Sequence, residues 1–204
     1  MDLVDNFCKY QKQLFLIFLL LSTFIVNSKS EIIIDNQEII SLIENNWNSI
    51  KTMSGRFEQT DTDNNIEYGN FYFDKPYKSK FTYDNKNETI ITNQILINIL
   101  DEEGYQIDSY PIGNSPIKNI LSNNIKLEDI FTISGVEIIS GKDDVYKITT
   151  VKKDSDNSNG EVLFFFSTDD LTLKKWVIFD EFKNKTVLEF TNIQKNISIA
   201  PNIF

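Results

Sequence analysis

The sequence predicts a mainly β protein: one amphipathic helix, then an all-antiparallel sheet of about eleven strands curling into a barrel or half-barrel. Three observations predict it. Ile39, Ile43, Trp47, Ile50 and Met53 recur at spacings of three and four over residues 36–54, which gives one apolar helical stripe. Aromatic and polar residues then alternate in G-N-F-Y-F-D-K-P (69–76) and K-F-T-Y (80–83), the pattern of strands with one buried face. From there to the C-terminus short apolar runs alternate with turn-forming clusters, with little helical pattern between them, which fits a closed or curled antiparallel sheet.

Each element has its own signal. Asp35 with Glu38 three residues on reads as a capping box for the helix, and Gly55 reads as its stop. Strands are expected near 56–61, 68–74, 78–84, 88–93, 95–100 and 104–110, with Asp101-Glu102-Glu103-Gly104 as the last turn of that series. In the second and third of these, Phe71 and Phe73 share a face, as do Phe81 and Tyr83, while Pro76 sits between the strands where no ladder bond is required. Ser115-Pro116-Ile117 opens a short helix to about residue 123, with Ser115 as cap and Pro116 in the first turn. Leu127 to Phe131 adds another helical turn, and strands resume at 133–139, 145–152, 161–167, 171–180 and 186–196.

Residues 1–30 read as a separate segment. The apolar run Leu14 to Val26 follows Lys9 and Lys12 and precedes Asn27-Ser28-Lys29-Ser30, the pattern of a secretory signal peptide with Ser28 and Ser30 at its cleavage site. An exported domain of residues 31–204 is therefore expected, although Asp2 and Asp5 weaken the basic flank and leave an uncleaved anchor as the alternative. The single cysteine, Cys8, lies ahead of the apolar run, so the exported chain is expected to carry no disulfide and no lipidated cysteine. The whole chain has 204 residues and a net charge of −10, which disfavours nucleic acid and anionic lipid surfaces and is expected to keep the protein monomeric. Abundant Asn and Ile, with Ala200 the only alanine and Arg56 the only arginine, mark a nucleotide bias and carry no functional information.

Catalytic residue types are scarce. The chain has no histidine, which removes the commonest general base, the His-containing nucleophile triads and histidine metal sites. No Gly-rich phosphate loop occurs. Asp101-Glu102-Glu103, Asp143-Asp144 and Asp169-Asp170 lie between apolar runs and read as solvated turns. The stretch Asp154 to Glu161 resembles a calcium loop only loosely, since its glycine is misplaced and the twelfth position is Phe165 rather than Glu, so it reads as a polar hairpin loop. No enzyme activity, no metal and no cofactor is expected. Sixteen Phe and eight Tyr are compatible with either a plain core or the lining of an apolar cavity.

The order of segments resolves that choice by resemblance. F-E-Q (57–59) after the helix and Met53-Ser54-Gly55, then G-N-F-Y-F-D-K-P and K-F-T-Y-D, then Glu88 to Asn93, Ser115-Pro116-Ile117 with Ile120-Leu121, Trp176-Val177-Ile178 and Thr186 to Asn192 resemble the periplasmic outer-membrane lipoprotein carrier family, LolA, over most of residues 36–204. The resemblance implies an incomplete antiparallel β-barrel, a half-barrel closed by an N-terminal helix and short lid helices over an apolar cavity. It also implies a periplasmic chaperone that takes triacylated lipoproteins from an inner-membrane ATP-driven releasing complex and carries them to the outer membrane or its lipoprotein acceptor. The expected lining is Phe57, Phe71, Phe73, Phe81, Tyr83 and Ile91, with Ile117, Ile120 and Leu121 on the lid. Where the family places an arginine before the strand-connecting proline, this chain has Lys75, expected to latch the lid by donating to carbonyls of residues 117–121. Alternatives are a related half-barrel acting as a lipid-binding sensor or acceptor, or an envelope structural protein that binds no lipid.

Overall fold

A computed structural model of the chain describes residues 35–113, 116–153, 161–180, 182–200 and 202–204. The expected leader, the Ser115 cap and the calcium-like loop at 154–160 lie outside those residues.

Helix α1 (Asn36–Ser49) opens the described chain. The Asp35 side chain caps it by accepting from the Gln37 amide at 3.1 Å. Ile39, Ile40, Ile43 and Trp47 form its buried stripe. The helix ends at Ile50, not at Gly55, because the following residues are claimed by the sheet. Met53 pairs with Phe73 on one side and Lys195 on the other, and is buried as a strand residue. Its spacing of three from Ile50 mimicked a continuing helical stripe.

Eleven strands follow: β1 (Thr52–Thr60), β2 (Ile66–Asp74), β3 (Lys78–Tyr83), β4 (Thr89–Thr92), β5 (Leu96–Leu100) and β6 (Gln106–Pro111), then β7 (Phe131–Ile139), β8 (Val145–Lys152), β9 (Glu161–Ser167), β10 (Leu173–Phe179) and β11 (Lys185–Lys195). Two short helices, α2 (Pro116–Ile120) and α3 (Leu127–Ile130), connect β6 to β7. All pairings are antiparallel, in the order β6-β5-β4-β3-β2-β1-β11-β10-β9-β8-β7. Two meanders are thus sewn together where β11 returns beside β1, and the sheet is not closed, since β6 and β7 are its two ends. Register shifts at Ser54/Arg56, Ile99/Leu100, Ile133/Gly135 and Leu173/Lys175 add local twist of the kind that bends a long sheet.

The register assigns every strand residue to a face. Met53, Phe73, Ser79, Thr92 and Ile97 lie in one row, and Phe71, Phe81, Ile90 and Ile99 in the next on the same face. Ile91 pairs with Lys80, which pairs with Tyr72, so it lies on the opposite face. Ile91 is therefore not a neighbour of the Phe71 and Phe81 rings, and Ile90 takes that place. The turn between β3 and β4 sets the phase of β4, and one residue of phase exchanges the two faces of a strand.

Two glycines make room for the rings. A Cβ on Gly69 would stand 2.2 Å from the Thr82 carbonyl oxygen and 2.5 Å from the Phe57 ring, and one on Gly55 would stand 2.9 Å from the Phe71 ring. Each glycine lets a ring lie against bare backbone on a neighbouring strand. Gly69→Ala is expected to destabilise the fold by about 1–3 kcal/mol through this overpacking. Gly135→Ala, whose Cβ meets nothing within 4 Å, is expected to change stability by less than about 0.5 kcal/mol. Urea denaturation of the two variants checks the contrast; equal midpoints would refute it.

Candidate apolar site beneath the helical cap

The rings of one sheet face form a continuous floor. Phe57 meets Phe81 at 5.3 Å and Tyr83 at 5.2 Å, both edge-on. Phe71 meets Phe73 at 4.9 Å and reaches across to Phe190 at 5.0 Å. Trp176 stands edge-on to Phe190 at 5.0 Å and stacks on Phe73 at 6.3 Å. On the other half of the sheet Phe164 meets Phe131 at 5.7 Å and Phe166 at 6.3 Å. Phe57, Phe71 and Phe73 are at most 1% exposed. Tyr83 is half-buried; its hydroxyl donates to Gln59 Oε1 at 2.8 Å, and burial, with smaller contributions from Glu67 and Glu88, pushes its pKa up to about 12.

The cap over this floor comes from α1 and the segment 117–130. Ile120 and Leu121 are buried and Ile117 is half-buried. Hydrogen bonds join the segment to α1. The Trp47 indole Nε1–H donates to the Ile120 carbonyl at 2.8 Å. The Asn48 side chain clasps Ile125, accepting its N–H at 2.8 Å and donating to its carbonyl at 3.0 Å. Glu44 Oε1 accepts from the Leu127 N–H at 2.6 Å, and burial raises the Glu44 carboxyl pKa against that bond. Further bonds tie the segment to the sheet: the Tyr77 N–H donates to the Leu121 carbonyl at 2.8 Å, the Lys153 N–H donates to the Ile130 carbonyl at 3.3 Å, and the Lys153 ammonium donates to the Glu128 carbonyl.

Lys75 holds a different part of the cap from the one expected. Its Nζ donates to the Trp47 carbonyl at 2.7 Å rather than to residues 117–121, and lies 5.1 Å from the Trp47 ring centroid. The last turn of α1 carries no basic residue, so Lys75, arriving from the β2–β3 turn, supplies the cation that favours the carbonyl end of a helix. The contact reaches the lid at one remove, through the Trp47 indole. Because Lys75 is only 7% exposed, burial pushes its pKa down to about 8, with Lys51 adding a smaller repulsion.

Cap and floor fit closely. Ile43, Trp47, Ile120, Ile125 and Leu127 from the cap face Phe164, Phe166 and Leu173 from the floor around a void of only about 20 Å³, room for roughly one water. At this place the sheet face is filled by its own side chains, while a larger cavity of about 390 Å³ lies between the start of α1, Glu128 and β7. Phe57, Phe71, Phe73, Phe81 and Tyr83 come together as expected from sequence, with Ile117, Ile120 and Leu121 brought into the cap. Sequence reasoning missed Trp47, Phe164, Phe166, Trp176 and Phe190. Trp47 was visible as a stripe residue, and Phe164 with Phe166 as alternate positions in the run 162–166.

An open antiparallel sheet of eleven strands, its aromatic face covered by an N-terminal helix and a short helical segment between the edge strands, invites comparison with known proteins. Residues 48–204 match the family of the outer membrane lipoprotein carrier protein LolA. The chain belongs to this family. Comparison with curated protein sequences yields no match. Among solved structures, a LolA superfamily protein from Nitrosomonas europaea is similar at 9% identity, over 81% of this chain and 96% of that one, with a TM-score of 0.39. LprF from Mycobacterium bovis is similar at 12% identity, over 80% and 95%, with a TM-score of 0.43. The MucA/MucB complex of Pseudomonas aeruginosa is similar at 9% identity, over 80% and 59%, with a TM-score of 0.44. Membership makes this a LolA-like protein, of a family of lipid- or lipoprotein-binding envelope proteins whose members are carrier or binding proteins. No helix among the described residues is long and apolar enough to cross a membrane.

The depressed Lys75 value gives a pH signature. From about 8 to 10.5 the unfolded chain holds a proton on Lys75 that the folded chain has released, so this group's contribution to stability rises with pH in that window. Urea denaturation of the wild type and Lys75→Leu across it is expected to show the wild type gaining on the variant as pH rises. A gap that stays constant would refute the assignment.

Proposed function

We propose that this protein is a periplasmic carrier that takes up the acyl chains of lipoproteins beneath its helical cap and moves them from the inner to the outer membrane. The observation that carries the reading is the covered aromatic floor: a contiguous face of rings under a cap fastened by a few identifiable hydrogen bonds. Family membership supports it. In this reading Phe57, Phe71, Phe73, Phe81 and Tyr83, with Ile90 in place of Ile91, line the acyl site, and Ile117, Ile120 and Leu121 form the underside of the lid. Triacylated lipoproteins are the cargo, an inner-membrane ATP-driven complex is the donor, and the outer membrane or a lipoprotein acceptor receives them. An amino-terminal signal peptide within residues 1–30 delivers the chain to that compartment.

The energetics suit a carrier. Each methylene moved out of water contributes about 0.8 kcal/mol, so a free acylated lipoprotein does not cross an aqueous space unaided. A permanently open cavity would retain such a ligand too tightly to deliver it. Here the empty site closes on itself, and loading must separate cap from floor. The lost cap–floor contacts offset part of the acyl binding energy and keep release feasible.

Lys75 tunes that balance. It holds the end of α1, and α1 holds the lid segment through Trp47 and Asn48. Lys75→Leu is expected to weaken the closed state, so that a triacylated lipopeptide binds several-fold more tightly and passes to acceptor vesicles more slowly. Unchanged affinity and transfer would remove Lys75 from the mechanism. The carrier reading itself is checked by displacement of a fluorescent acyl probe with a triacylated lipopeptide, with saturable displacement expected. No displacement by the wild-type protein would defeat it.

A further inference from the structure

One buried polar side-chain atom stands without a hydrogen-bond partner among the described residues: Nε1 of Trp176. Trp176 is 2% exposed. Other buried polar groups on the sheet are satisfied. Ser79 Oγ and Thr92 Oγ1 bond each other at 2.7 Å, and Thr150 Oγ1 donates to the Val162 carbonyl at 2.9 Å. The second tryptophan, Trp47, spends its indole N–H on the Ile120 carbonyl. A buried donor left without an acceptor costs about 1–3 kcal/mol, and a phenylalanine would fill an aromatic floor without that cost. The indole is flanked by Phe73, stacked at 20°, and by Phe190, edge-on at 87°. A ring face substitutes only weakly for an oxygen acceptor.

The position of this donor is specific. Trp176 pairs directly with Phe164 on β9, and Phe164 lines the void between cap and floor. Trp176 lies one strand beyond Phe164 rather than in the void lining, so a chain that widens the void past Phe164 reaches it. Acyl chains bring one kind of acceptor into such a space, the carbonyl by which each is attached. We propose that the Trp176 indole N–H is the hydrogen-bond donor for an acyl carbonyl, ester or amide, of the bound cargo. The closed fold holds the donor unsatisfied, and loading satisfies it. This inference rests on the acyl-binding reading above, and it adds a polar anchor that tells an acylated ligand from a bare hydrocarbon chain.

The test compares 1-palmitoylglycerol with 1-O-hexadecylglycerol, which keeps the chain and headgroup and replaces the carbonyl by a methylene. The wild type is expected to favour the ester by about 2- to 10-fold, the range one neutral hydrogen bond supplies, with a shift of the Trp176 indole N–H resonance on binding the ester only. Trp176→Phe is expected to abolish that preference, so that ester and ether bind alike. Replacement of Trp176 by 3-benzothienylalanine, which keeps the ring shape and exchanges N–H for sulfur, covers the case in which the smaller ring disturbs the fold. N-palmitoylethanolamine supplies the amide arm: a preference shared with it assigns either carbonyl, and one confined to the glyceride assigns the ester. A wild type that binds both glycerol ligands without preference, or a preference that survives in the benzothienyl variant, overturns the inference and leaves the carrier reading standing. Absence of binding by all three ligands overturns the inference, and the carrier reading is then decided separately by displacement with the triacylated lipopeptide.

Discussion

Trp47 is the residue on which the closed structure depends. Its ring covers the floor beside Phe164 and Phe166. Its indole N–H holds the lid segment at Ile120, and its carbonyl receives the Lys75 ammonium. One residue thus links three parts of the molecule: the helix that carries it, the segment between the edge strands, and the β2–β3 turn. Packing gives the cap its affinity for the floor, and the two directional bonds at Trp47 give it a defined seat. Lys75 illustrates a wider feature, since its buried cation is matched by a helix-end carbonyl rather than by a carboxylate. Such a contact is weaker than a full ion pair, which suits a joint that opens in the proposed carrier cycle.

A long antiparallel sheet ordinarily hides one face against a second layer. Here that layer is mostly a single helix and two short helical turns. Four register shifts interrupt the strand pairing, and Gly55 and Gly69 let rings lie flush against neighbouring strands. The rings therefore pack largely on one another, as the chain of contacts from Tyr83 through Phe57, Phe81 and Phe71 to Phe190 and Trp176 shows. In the proposed carrier cycle a floor of this kind would keep much of its internal packing when the cap lifts.

Glu44, Asn48 and Trp47 all use side chains of α1 to hold main-chain atoms of the segment 120–127. Main-chain groups of an irregular segment need partners once they are buried, and α1 supplies them. Helix and segment are therefore more tightly joined to each other than the segment is to the sheet.

Local pattern determined a large part of this protein. The alternation in 69–83 named Phe71, Phe73, Phe81 and Tyr83 as one face, the spacing in 36–54 named the helix and its stripe, and the order of segments was enough to suggest the family. Those readings succeed because side-chain direction within one helix or strand follows from period alone. Three decisions belonged to the tertiary structure. The β3–β4 turn set the phase of β4 and placed Ile90, not Ile91, beside the Phe81 ring. Pairing of Met53 with Phe73 drew the chain out of the helix at Ile50 and left Gly55 in a strand. The contact of Lys75 with Trp47 joined residues 28 positions apart and redirected an expected lid latch to the end of α1. Each depends on where separate elements meet, and periodicity within an element carries no information about that distance.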